Sequence, residues 1–266
     1  MNRTGAATVG HTLHAGVATV TLDRPAASNA LDCAMKNGLL QVLSELQAEN
    51  DARAVVITAT GRNFCVGQDL AEHVEALRAD PAHAMDTVRE HYNPVMTALA
   101  ALEVPVVVAI NGACVGAGLG LALAADIRIA GSGARFATAF TGIGLAADSA
   151  LSASLPRAIG ASRATAMFLL GDTIDAGTAQ EWGLVHQVVD DDSVVDVATS
   201  VASRLANGPT AAFQSVKALL RDNAAAPLRD VLEREAQAQQ RLGGSVDHSA
   251  AVAAFLAKAK PVFVGH

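Results

Sequence analysis

The stretch VPVVVAINGACVGAGLGLALAADIRIAG, Val104 to Gly131, decides the fold. Up to Ala125 it carries no charge and is long enough to cross a bilayer. Pro105 and the Asn111-Gly112 pair interrupt it, and glycine recurs through its middle. A short buried strand over Pro105 to Ile110, a glycine-rich turn and a buried helix, and a second strand in DIRIAG account for it better than a membrane span. Strand, glycine loop, helix, strand is the unit of an α/β fold with its ligand near the strand ends.

The same unit stands upstream. AVVITA, Ala54 to Ala59, reads as a short buried strand, and TGRNFCVGQDL after it is a loop holding Gly61 and Gly67. Helices are expected before and after Asp80-Pro81. HTLHAGVATVTL alternates about Ala15-Gly16 and predicts a β-hairpin. ALDCAMKNGLLQVLSELQ places Met35, Leu39, Val42, Leu43 and Leu46 on one helical face. From about Ser193 the pattern is almost purely helical, punctuated by Gly208-Pro209 and Pro227. The expected organisation is a core over residues 1–200 that carries the site, and a helical region over 201–266. There is no internal repeat and no low-complexity segment.

Composition narrows the function. Of 266 residues, 51% are hydrophobic and 17% charged, so a large buried core is expected and disorder is not. Aromatics are only 3%, which leaves the core to Ala, Val, Leu and Ile. The net charge is −7 and no Lys/Arg-rich run exists, which argues against a nucleic-acid partner. The three cysteines are scattered with no C-x-x-C, as in a reducing, cytoplasmic chain with free thiols. The histidines form no H-E-x-x-H and no Cys/His cluster, so no metal site is expected. No apolar leader is evident at the N-terminus.

Two glycine loops are candidates for chemistry. NGACVGAGLG, Asn111 to Gly120, fails the dinucleotide pattern because Leu121 follows, and it lacks the Gly-Lys-Ser/Thr of a phosphate loop. Its glycines fit close helix packing, or a helix start whose N–H groups face a developing negative charge. In RNFCVGQDL, Gly67 permits a sharp turn and Asp69 suits the cap of a helix. A third feature is Asp148 in FTGIGLAADSAL. It is the one acidic residue between Asp126 and Asp172. By pattern alone it caps a helix containing Leu151 and Leu155.

Together these segments resemble the crotonase superfamily, the enoyl-CoA hydratase/isomerase fold. VATVTLDRPAASNALD is similar to its N-terminal hairpin and Arg-Pro-x-x-x-Asn-Ala-Leu segment. RNFCVGQDL and PVVVAINGACVGAGLGLALAADIRIA are similar to its two oxyanion loops. LLGDTIDAGTAQEWGLVHQVV resembles the segment closing the core, and AAFLAKAKPVF its terminal helix. The resemblance implies an α/β fold: a spiral core of repeated ββα units with a helical C-terminal region that trimerises, two trimers perhaps stacking. It implies acyl-CoA thioester substrates and no separate cofactor, since coenzyme A enters as part of the substrate.

The resemblance also assigns roles. The backbone N–H groups of Gln68 and Ala117 would hold the thioester oxygen as it becomes an enolate. The two glutamates of the family's hydratases fall here on Gly120 and Phe140, neither of which moves a proton, and a phenyl ring displaces water. Gly120 would leave space on one side of the acyl group and Phe140 an apolar wall on the other. Asp148 matches the aspartate of the family's isomerases, including dienoyl-CoA isomerases and the ring-opening isomerases of phenylacetate breakdown, although their Gly-Gly after Asp-Ser is Ala150-Leu151 here. That position makes Asp148 the catalytic acid/base, a role that can coexist with capping. Arg24 would meet a coenzyme A phosphate. Ala27, Val66, Gln68 and Leu70 would line the ligand's path, with Asp69, Gly116 and Leu145 also at the site. Phe255 and Lys258 match a Phe-x-x-Lys on the terminal helix that reaches a neighbouring subunit's ligand. Helix packing for Phe255 and a solvated charge for Lys258 explain them equally well.

Overall fold

The computed structural model describes residues 8–49 and 51–266. Residues 1–7, on which the expectation about a leader partly rests, lie outside them. In chain order the elements are β1 (Val9–His14), β2 (Val17–Leu22), α1 (Cys33–Glu49), β3 (Ala54–Ala59), α2 (Leu70–Ala79), α3 (Asn93–Ala101), β4 (Val106–Ile110), β5 (Ala113–Val115) and α4 (Ala117–Ala124). Then follow β6 (Ile127–Gly131), β7 (Arg135–Ala137), α5 (Leu151–Ile159), α6 (Ala161–Leu170), β8 (Ile174–Asp175), α7 (Ala176–Glu181) and β9 (Gln187–Val189). Four helices end the chain: α8 (Val194–Ala206), α9 (Thr210–Asp222), α10 (Leu228–Gly243) and α11 (Val246–Leu256). No helix of the described residues is long and apolar enough to cross a membrane.

Six strands form one sheet in the order β1-β2-β3-β4-β6-β9, antiparallel in the hairpin and parallel beyond it. β5, β7 and β8 form a second, mixed sheet. Side chains alternate across a strand. Val55 and Ile57 of β3, with Val106, Val108 and Ile110 of β4, therefore enter the main core beside Met35, Leu39 and Leu43 of α1. Ala54 and Val56, with Val107 and Ala109, face the other way, onto Val194, Ala198, Ala202 and Ala206 of α8. Both faces are covered, so the central strands read as continuous apolar runs. The four-residue spacing on α8 presents one narrow apolar stripe to the sheet, mostly alanine, and α8 runs through residue 200.

Two local features depart from the expected pattern. The glycine loop does not lead directly into α4; β5 intervenes, because its short run pairs with β7. The helix after Asp80-Pro81 is also irregular. Val88–Tyr92 forms a π-helical turn that runs into α3, whose Pro94 stands at its first turn. Proline has no N–H to donate and its ring crowds the carbonyl four residues back, and a π-turn widens the helix at that point.

Candidate active site

Two loops meet at the base of a cavity. Cys65 and Cys114 form a parallel bridge, with Cys65 N–H donating to Ala113 O at 3.0 Å and Val115 N–H to Cys65 O at 2.9 Å. Just beyond it the chains cross glycine on glycine. Gly67 has φ +88° and Gly116 φ +56°, and a Cβ on Gly67 would lie 3.1 Å from Val115 O and 3.4 Å from Ala117 N. Side chains there would both strain the backbone and force the loops apart. The contact brings Gln68 and Ala117 side by side on the cavity wall. Among the described residues neither of their N–H groups has a hydrogen-bond acceptor. Two free amides, one at a helix N-terminus, suit a negatively charged oxygen.

The cavity holds about 610 Å³. Its lining includes most of the residues expected from sequence: Arg24, Ala27, Val66, Gln68, Asp69, Leu70, Gly116, Ala117, Phe140, Leu145 and Asp148. The Asp148 carboxylate accepts from Ser149 Oγ at 2.8 Å. Burial pushes its pKa up, and the Ser149 bond partly opposes this. The capping alternative for Asp148 does not hold. α5 starts from Ala150, with no side-chain cap, and the turn is closed by Leu151 N–H donating to the Asp148 carbonyl at 3.0 Å. The carboxylate is left facing the cavity.

Asp69 behaves differently. It caps α2 by accepting from Ala71 N–H and Glu72 N–H, and it pairs with Arg24. The Glu72 amide first, and Arg24 after it, hold its carboxyl below the usual range against the effect of burial. Arg24 also pairs with Asp32 at 3.1 Å and donates to Ala30 O. The guanidinium expected to meet a phosphate is thus already between two carboxylates. Buried Asn29 sets this corner: it accepts from Arg24 N–H and donates to Thr60 O and Asn63 O.

Three expected residues lie outside the cavity lining. Gly120 leaves no space: a Cβ there would be 2.6 Å from Ser149 Cβ, so Ser149 already fills the room. Phe255 is on α11 but 81% exposed, not packed. Lys258 is not on the terminal helix; it follows the end of α11 at φ +53°.

Sequence reading missed Tyr92, Thr87, His73, Met85 and Ile143, all of which line the cavity. Tyr92 is 4% exposed, sits at the end of the π-turn, and donates its hydroxyl to Gln68 Oε1. The one signal for it is Tyr92-Asn93-Pro94, a proline inside an otherwise helical pattern, where helices distort. No cluster of metal-ligating side chains exists among the described residues.

This fold agrees with what the chain is similar to. The Enoyl-CoA hydratase/isomerase family model matches residues 12–266. A probable enoyl-CoA hydratase of Rhodobacter capsulatus is 40% identical over 97% of this chain and 98% of its own. The 1,2-epoxyphenylacetyl-CoA isomerase of Escherichia coli K12 is 38% identical over 94% of this chain and 95% of its own. A crystal structure from Mycobacterium abscessus, provisionally described as an enoyl-CoA hydratase/isomerase, superposes with a TM-score of 0.96 at 76% identity, over 97% of this chain and 100% of that one. The chain belongs to the enoyl-CoA hydratase/isomerase family, the crotonase superfamily.

Proposed function

We propose that this protein is an enoyl-CoA isomerase that shifts a carbon–carbon double bond with Asp148 as its single acid/base. The observation carrying this reading is that Asp148 is the cavity-lining carboxylate with no ion pair and no backbone N–H donor among the described residues, holding only the Ser149 hydroxyl, whereas Asp69 is engaged by Arg24 and two α2 amides. With a 3-enoyl-CoA, the carboxylate removes a proton from C2. Electrons move into a dienolate, whose oxygen faces the Gln68 and Ala117 N–H groups. The proton returns at C4, and the double bond comes to rest between C2 and C3. Atoms and charge balance without a co-reactant. Each oxyanion donor contributes about 3 kcal/mol of transition-state stabilisation in comparable sites. An apolar setting that raises the Asp148 pKa makes it a stronger base once ionised.

A hydratase reading draws on the name of the Rhodobacter relative. Against it, hydration needs a held water and a second proton carrier, and the Phe140 ring lines the cavity instead. Purified protein offered 2-enoyl-, 3-enoyl- and dienoyl-CoA separates the readings. A bond shift alone supports the isomerase. Water addition replaces it with a hydratase, and tight binding without turnover replaces it with an acyl-CoA-binding protein.

Assembly as a homotrimer, or a dimer of trimers, belongs to the same proposal. Exposed Leu220, Leu228, Leu232, Val252, Phe255 and Leu256 on the C-terminal helices support it. In such an assembly Phe255 and Lys258 reach a neighbour's ligand. Light scattering on the purified protein measures the mass that decides this.

A further inference from the structure

A polar cluster built around one buried lysine lies behind the cavity wall. Lys36 of α1 is 1% exposed. Its ammonium donates to Glu72 Oε1 at 3.1 Å and Thr87 Oγ1 at 2.7 Å, and lies 5.1 Å from the centroid of the Tyr92 ring. Thr87 Oγ1 is 3.2 Å from His91 Nδ1, and His91 Nε2 is 3.4 Å from Cys33 Sγ. Cys33 N–H donates to Glu72 Oε2 at 2.7 Å, closing a ring of contacts through α1, α2 and the π-turn. A buried ammonium costs several kcal/mol unless it is paired and hydrogen-bonded, so these partners fix its place. The Tyr92 ring, packed on that fixed charge, is fixed in turn.

The Tyr92 hydroxyl emerges on the cavity wall and donates to Gln68 Oε1. Gln68 has no other side-chain hydrogen bond among the described residues. Released from Tyr92, its carboxamide is free to turn into the cavity, where its own donors and acceptor compete with the thioester. The peptide carrying the Gln68 N–H then loses one of its restraints.

We propose that Tyr92 is a positioning residue: anchored from behind by Lys36, its hydroxyl clasps the Gln68 side chain against the cavity wall and so fixes the direction of the Gln68 N–H. The inference rests on the reading of Gln68 as an oxyanion donor. Burial, and after it the charge of Asp148, keeps the phenol far above its ordinary range, so Tyr92 stays protonated and acts as a permanent donor.

The probes are 3-hexenoyl-CoA for turnover and acetoacetyl-CoA for binding. Acetoacetyl-CoA forms an enolate whose ultraviolet band reports polarisation by the oxyanion donors. Tyr92→Phe and Gln68→Met are each expected to lower kcat about tenfold with KM within about twofold, the size of one lost hydrogen bond. The double variant falls no further than the worse single, because both changes break the same bond and their effects do not add. The acetoacetyl-CoA band moves equally in all three. A band and kcat unchanged in Tyr92→Phe, or losses that multiply in the double variant, overturn the proposal. Gln68→Met keeps the backbone N–H and tests the clasp from the other side should Tyr92→Phe fail to fold. If wild-type protein does not turn over 3-hexenoyl-CoA, the isomerase reading falls, while the band still decides the role of Tyr92.

Discussion

Gly120 packs directly against Ser149: a methyl group on Gly120 would lie 2.6 Å from Ser149 Cβ and 2.8 Å from Ser149 O. The residue next to Asp148 is therefore seated on α4, the helix whose first amide faces the cavity. The Asp148 segment and the Ala117 amide are held together by a contact that only a missing side chain permits.

Gly120→Ala tests that contact. Overpacking of this kind costs about 1–3 kcal/mol. For a chain of this size, that lowers Tm by several degrees. Turnover of 3-hexenoyl-CoA is expected to fall as well, because the displaced backbone carries Asp148. Calorimetry and kinetics on one preparation check both effects; an unchanged Tm contradicts the packing argument.

Asp148→Asn is expected to lower kcat by at least about a hundredfold, the usual scale for losing an acid/base group. It should also stabilise the fold near neutral pH. Burial raises the folded-state pKa of Asp148. A raised carboxyl contributes stability below its unfolded value and loses it as pH rises through the folded value. Asparagine carries no such penalty. The Tm gain of the variant is thus present at pH 7 and disappears below the ordinary carboxylate range, near pH 3. A gain that persists unchanged at pH 3 rules out this cause.

Ala150 stands at φ +59°, directly after Ser149 at φ +50°. A left-handed L-residue costs roughly 1–2 kcal/mol, and glycine gives back about 0.5–1 kcal/mol through its freer unfolded chain. Ala150→Gly is therefore expected to raise stability by about 0.5–1 kcal/mol, read from denaturant midpoints. A lower midpoint sinks the account. Of the Ala150-Leu151 pair, only Ala150 is left-handed; Leu151 is already the first residue of α5.

Asp69→Ala removes a helix cap, worth about 1 kcal/mol, and leaves Arg24 with Asp32 alone. The pair with Arg24 is partly solvated, so its share is modest. Asp69 is held below the usual range by the Glu72 amide first and Arg24 after it. Its contribution is present above the unfolded value and is lost as pH falls through the folded one. The Tm difference between wild type and variant should narrow from pH 7 to pH 3.

Sequence alone was not enough for the short strands β5, β7, β8 and β9, but it was enough for β1 to β4 and β6, most of the helices and the two glycine loops. Each is set by information a few residues long: apolar alternation in β2, continuous apolar runs in β3 and β4, the one-sided face of α1 from Met35 to Leu46. The pattern resembling a known family singled out Gln68, Ala117 and Asp148, and all three line the cavity. Tertiary structure alone decided what those residues touch. Tyr92 and Gln68 are 24 positions apart, and Lys36 and Thr87 are 51 apart, so no local period relates them. Lys36, next to Met35 on α1, is buried only because α2 and the π-turn close over it. Gly120 reads as open space until Ser149 is found filling it, and Asp148 reads as a cap until its own carbonyl closes the turn. Local propensity acts along the chain, whereas a site is made where distant segments meet.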